Sequence, residues 1–154
     1  MRTGELSLDD VSETERLGAS LAQVLRPGDV VALSGPLGAG KTSLARGVLG
    51  ALGLVGDAPS PSFSLVIAYA PPDVRLPLWH VDLYRIEDTD EIEELGLADA
   101  RSDSVLLIEW PERMGTRLWD DALRLDLQPE LAGGRRLTWA APKAWGARWP
   151  LPLS

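Results

Sequence analysis

Gly35-Pro36-Leu37-Gly38-Ala39-Gly40-Lys41-Thr42 matches in full the spacing G-x-x-x-x-G-K-[ST], and this octet is the best-equipped chemistry in the 154-residue chain. Its glycines let the backbone turn amide hydrogens inward on a β- and γ-phosphate. A loop that opens onto a helix adds the unpaired N–H groups and the dipole of a helix N-terminus. Lys41 brings a point charge, and the Thr42 hydroxyl is placed to ligate the magnesium that travels with a nucleotide. The backbone and side chains of Leu37, Ala39 and Ser43 complete the candidate phosphate cradle. An apolar run, Val30-Val31-Ala32-Leu33, precedes the loop, and Leu44, Ala45, Val48, Leu49 and Leu52 follow at helical spacing, which is the strand–loop–helix context the motif requires. A plain glycine-rich turn would need neither the lysine nor the hydroxyl at those offsets.

Phosphoryl transfer also needs a carboxylate beside the loop, commonly where a buried strand ends. Asp82, after Trp79-His80-Val81, and Glu109, after Val105-Leu106-Leu107-Ile108, both meet that description. If their strands neighbour the first, both converge on Thr42, because parallel sheets bind ligands at the carboxyl ends of their strands. The residues leave open which of the two touches the metal. Ser60-Pro61-Ser62-Phe63 stands where nucleotide-sensing loops often sit, and its hydroxyls, Ser62 among them, would reach a γ-phosphate or the metal. His80 is the only histidine. It reads either as a satisfied core residue or as a group that orients a water or a carboxylate.

These residues need elements to hold them. Leu6-Ser7-Leu8 alternates as a short strand, and Ser12 with Glu15 reads as a capping box opening a helix that buries Leu17, Leu21, Val24 and Leu25 and ends at Pro27-Gly28. The first buried strand runs to Ser34, and the loop helix runs from Lys41 to about Leu52. Phe63 to Tyr69 and Leu76 to Tyr84 read as a hairpin around Pro71-Pro72-Asp73. An acidic helix, Thr89 to Leu95, follows. Val105 to Ile108 suits a central parallel strand covered on both faces. Leu123 to Leu127 alternates strictly, and Arg136 to Trp139 pairs back on it across Gly133-Gly134. The tail from Pro142, with Trp145 and Trp149, shows no period. The expected fold is α/β and P-loop NTPase-like: a mostly parallel central sheet with an antiparallel hairpin and a C-terminal antiparallel pair, helices on both faces, in one domain spanning residues 1–154.

Composition narrows the function. A net charge of −8 disfavours broad contact with a nucleic-acid backbone, so any RNA would be held by another protein. With no cysteine there is no disulfide framework and no thiolate metal site. No apolar run is long enough for a bilayer span, and Met1 to Asp10 lacks the order of a signal peptide, so a cytoplasmic protein is expected. Lysine occurs only at Lys41 and Lys143, which makes a chance surface lysine at the motif position improbable. The carboxylate run Asp88 to Glu94 reads as a solvated helix face or a dock for a basic partner. Of the tryptophans crowding the last third, core packing explains most, and interface anchoring is the alternative.

Gly35 to Thr42, Ser60-Pro61-Ser62-Phe63, His80-Val81-Asp82-Leu83-Tyr84-Arg85, Glu94-Leu95-Gly96-Leu97 and Ile108-Glu109-Trp110-Pro111-Glu112 together resemble, in order and approximate spacing, the bacterial tRNA threonylcarbamoyladenosine biosynthesis ATPases of the TsaE (YjeE) family. The resemblance covers about Ser12 to Trp139. It implies a small ATPase that binds ATP and magnesium, hydrolyses slowly alone, and works with the threonylcarbamoyl-transferase subunit and its non-catalytic paralogue, the TsaD and TsaB types. Those partners install threonylcarbamoyl on adenosine 37 of tRNAs reading codons that begin with A. By the family's pattern Thr42 and Glu109 are magnesium ligands, Lys41 and the loop glycines hold phosphates, Asp82 is essential for turnover, Ser60 to Phe63 is a switch, and Trp110 sits beside the site. The chain departs from the pattern at Pro36, which removes one loop N–H, and at Ser43 and Ser62, where the family carries threonine. A small kinase would use the same loop but would need an acceptor pocket and a lid, for which there is little room. With no asparagine and no T-K-x-D-like segment, a guanine-reading loop is missing. A nucleotide-gated binding module that does not depend on hydrolysis is the remaining rival.

Overall fold

A computed structural model of the chain describes residues 1–61 and 65–151. Seven strands, β1 (Arg2–Leu8), β2 (Val30–Ser34), β3 (Val66–Tyr69), β4 (Leu78–Asp82), β5 (Val105–Glu109), β6 (Leu123–Pro129) and β7 (Arg135–Ala141), form one sheet in the order β1-β7-β6-β2-β5-β4-β3. The middle of it, β6-β2-β5-β4, is parallel. β3 pairs antiparallel with β4 at one edge, and β7 and then β1 close the other edge antiparallel. The expected hairpin and C-terminal pair are both present. β2 and β5 are buried along nearly their whole length, as continuous β-branched and leucine runs demand when both faces of a sheet are covered.

α1 (Val11–Ala22) and α2 (Lys41–Ala51) cover one face and bury Leu17, Leu21, Leu44, Val48 and Leu49 with Val31, Leu33, Leu78 and Leu107. The short helices α3 (Asp90–Glu94) and α4 (Leu97–Arg101), with a 3-10 segment at Pro111–Arg117, cover the other, around Val30, Ala32, Leu106 and Ile108. α1 and α2 cross closely through glycine. A Cβ on Gly18 would lie 2.3 Å from the Leu44 carbonyl oxygen, and one on Gly47 would lie 2.1 Å from that of Glu15.

Some boundaries differ from the sequence expectation. The helix cap is Asp10, whose Oδ1 accepts from the Glu13 amide at 2.9 Å, while the Glu13 carboxylate accepts from the Asp9 amide. The capping box therefore sits two residues before Ser12 and Glu15, because aspartate competes as strongly for the cap and brings its own glutamate three residues on. α1 also ends at Ala22, short of Pro27. β4 stops at Asp82, where the Asp82 carboxylate accepts from the Tyr84 amide at 3.0 Å and bends the chain. The aperiodic tail folds onto the core. Trp145 and Trp149 are each 2% exposed, the indole N–H of Trp145 donates to the Asp121 carbonyl at 3.0 Å, and Arg148 clasps Asp29 through two bonds of 2.6 and 3.1 Å.

Candidate functional site

β2 delivers the chain to the loop, and two glycines show why the loop needs them. Gly35 has φ 137°, and a Cβ there would meet the Leu127 carbonyl oxygen at 2.3 Å. Gly40 caps α2 from the left-handed region (φ 105°, ψ 8°), which a β-carbon would strain. Among the described residues no side chain caps α2 at Gly40, which leaves its first amides open to a ligand.

Alternation does the rest. In β4, Leu78, His80 and Asp82 point to one face, and in β5 Leu107 and Glu109 do the same. Leu78 and Leu107 belong to the core under α1 and α2, so the two carboxylates face the N-terminus of α2. Register aligns them, with Asp82 opposite Glu109 and His80 opposite Leu107. Asp82 and Glu109 are buried at 6% and 4% exposure. His80 Nε2 lies 2.7 Å from Glu109 Oε2 in a wholly buried contact.

A cavity of about 440 Å³ opens between these parts. Leu37, Gly38, Gly40, Lys41, Thr42 and Ser43 line it from the loop, and Asp82, Glu109 and Trp110 from the strand ends. Gly35 and Ala39 do not line it but hold residues that do: the Gly35 carbonyl accepts from Lys41 Nζ at 2.6 Å and the Ala39 carbonyl from Arg135 Nε at 2.8 Å. Ser60 lines the cavity too; Ser62 and Phe63 lie outside the described residues.

Trp110 follows β5 in the left-handed conformation (φ 59°, ψ 49°), which a bulky residue adopts only when its surroundings hold it there. The bend lays its indole against Lys41, with Nζ 3.9 Å from the ring centre, and beside Tyr84, ring centres 4.9 Å apart. Burial pushes the Lys41 ammonium below the ordinary lysine value of 10.5, and Glu109, Asp82, Glu112 and Asp126 partly restore it. Those four carboxylates also bear on what the cavity accepts. An unaccompanied triphosphate would be repelled by them, whereas a divalent cation would find ligands in the nearest. The donor set, one hydroxyl and strand-end carboxylates beside a phosphate loop, suits magnesium held partly by phosphate oxygens. Among the described residues no cluster of three or more His, Cys, Asp or Glu side chains forms a self-sufficient metal cage.

The cavity residues Arg135, Gly134, Asp10, Val11 and Thr14 escaped the motif reading. Arg135, at the start of β7, donates to the carbonyls of Ala39, Gly38 (2.9 Å) and Gly134 (2.8 Å), so it braces the loop from the far side. Asp10 and Thr14 reach the cavity from the first turn of α1, brought there by the helix crossing. An arginine directly after a glycine pair is the only sequence signal for the first, and nothing local marks the others.

A parallel sheet whose β2 runs through a glycine-rich loop into a helix, with carboxylates on the neighbouring strand ends, defines the P-loop NTPase-like class of α/β folds. The family model "Threonylcarbamoyl adenosine biosynthesis protein TsaE" matches residues 8–137, and the chain belongs to that family. The tRNA threonylcarbamoyladenosine biosynthesis protein TsaE of Streptomyces coelicolor is 49% identical over 112 residues, 71% of this chain and 74% of the relative. That of Bacillus subtilis is 35% identical over 84% of this chain and 80% of its own. The crystal structure of Bacillus subtilis YdiB superposes with a TM-score of 0.75 at 28% identity, covering 96% of this chain and 89% of that one.

Proposed function

We propose that the chain is the ATP-binding and ATP-hydrolysing subunit of the bacterial machinery that forms N6-threonylcarbamoyladenosine at position 37 of tRNAs reading codons beginning with A. The observation that carries this reading is the convergence, in one cavity, of Lys41, Thr42 and the register-paired carboxylates Asp82 and Glu109. Magnesium, when bound, neutralises charge on the β- and γ-phosphate oxygens. Thr42 and Glu109 would hold it, with Asp82 beside them. The loop amides and Lys41 bind the phosphates, and Lys41 stabilises charge that develops on the leaving oxygen. Asp82 orients the attacking water and accepts its proton. Turnover resets the complex with the transferase subunit and its paralogue, the TsaD and TsaB types, and the tRNA is contacted mainly through them. The acidic balance of the chain favours that division of labour.

The test is the ATPase rate, with GTP as control, for the protein alone and then with both partners and tRNA. Slow ATP turnover that accelerates with the partners is expected, and Lys41→Ala is expected to abolish it. A Lys41→Ala protein hydrolysing at the wild-type rate would sink the mechanism, and turnover dependent on a small phosphoryl acceptor would make the protein a kinase.

A further inference from the structure

We infer that His80 is the positioning residue of the metal site: its Nε2–H holds one oxygen of Glu109 and so aims the other at the cavity. The inference rests on the magnesium–nucleotide reading above and adds a residue role to it. His80 is 1% exposed and Glu109 4%, and their 2.7 Å contact lies behind the cavity wall, since Glu109 lines the cavity and His80 does not. Glutamate has three side-chain torsions. Without a fixed second oxygen its carboxylate would sample several orientations at the mouth of the cavity. An imidazole N–H on the outer oxygen of a ligating carboxylate removes that freedom and fixes which lone pairs face the metal.

The other ring nitrogen settles the tautomer. Nδ1 of His80 is fully buried and has no hydrogen-bond partner among the described residues. A proton on Nδ1 would be an orphaned buried donor, whereas an unprotonated Nδ1 leaves only an under-satisfied acceptor, the less costly omission. The proton therefore sits on Nε2, donated to Glu109, which faces it as a carboxylate acceptor. Backbone register makes the contact rigid. His80 and Glu109 lie on adjacent parallel strands, two residues before and directly at the Asp82–Glu109 pair, so neither can shift without disturbing the ladder.

Two independent measurements test this. Because the chain has a single histidine, the ring nitrogens of uniformly 15N-labelled protein can be assigned without ambiguity. Long-range proton–nitrogen correlation is expected to show a protonated Nε2 and a bare Nδ1, and the reverse tautomer would overturn the inference. In the second, ATP affinity is measured by calorimetry in EDTA, and Mn2+ affinity of the protein–ATP complex by electron paramagnetic resonance, for wild type, His80→Leu and His80→Gln. His80→Leu is expected to keep its metal-free ATP affinity while Mn2+ affinity falls about tenfold to a hundredfold. His80→Gln, which retains a donor of similar reach, is expected to recover most of the loss, a rescue that a merely space-filling histidine would not produce. Unchanged Mn2+ affinity in His80→Leu overturns the role of His80 alone. A wild-type protein that binds ATP but no Mn2+ overturns the magnesium reading and this inference with it.

Discussion

Lys41 is buried as a cation, and that gives the protein a pH signature of its own. Its pKa in the folded chain lies below 10.5, chiefly because burial disfavours the ammonium. Between the folded value and 10.5 the unfolded chain therefore binds more protons than the folded one, and stability attributable to Lys41 rises with pH across that window. Lys41→Met removes the group from both states. Urea titrations at rising pH should show wild type gaining on Lys41→Met up to 10.5, and a gap that narrows or reverses would contradict the burial argument. Asp82 permits a second prediction. Asp82→Asn should keep ATP binding but lower single-turnover hydrolysis by roughly a hundredfold or more, the usual scale for a lost general base. The phosphate-loop residues and both carboxylates were legible in the sequence because fixed spacing and strand-end position mark them. Arg135, Asp10 and Thr14 were not, since their place in the cavity depends on how β7 and α1 pack, which no local pattern encodes.

At the scale of elements, the crossing of α1 over α2 decides whether the cavity has its second wall. The Gly47 Cα lies against the Glu15 backbone, so Gly47→Ala must separate the helices, and an overpacking cost of about 1–3 kcal/mol is expected in denaturant melts. The same variant should weaken nucleotide binding, because Thr14 and Asp10 would retreat with α1. Arg148 secures the other end of that helix by donating to the Val24 carbonyl at 3.0 Å while it clasps Asp29, the residue before β2. Both side chains are largely buried, so Arg148→Ala strands a carboxylate and should destabilise the fold by about 3–5 kcal/mol, measurable as a shift in urea midpoint. Continuous apolar runs and strict alternation announced β5 and β6, and the turn residues announced both antiparallel pairs. The tail gave no such signal. Its structure comes from Trp145 and Trp149 joining the main hydrophobic core, with Trp139 and Trp149 edge to face at 5.9 Å.

For the molecule as a whole, the fold class followed from sequence because each strand and helix obeyed its own period and the parallel order needs helical crossovers. What no period showed is where the polar groups go. Among the described residues, the buried polar or charged side chains are Thr14, Lys41, His80, Asp82, Ser104 and Glu109; Thr14, Lys41, Asp82 and Glu109 line the cavity and His80 stands behind Glu109. Such groups are costly to fold around until a ligand answers them. A hundredfold excess of magnesium–ATP over its dissociation constant should add about 2.7 kcal/mol, a rise in melting temperature of roughly 5–10 °C for a domain of this size. No such rise in a thermal scan would argue against the cavity as the nucleotide site. The clustering also bears on directed evolution. A library selected for heat tolerance without nucleotide should drift toward apolar residues at those cavity positions and yield sturdy, inactive proteins, whereas the same selection with magnesium–ATP present should leave them untouched and find its gains elsewhere.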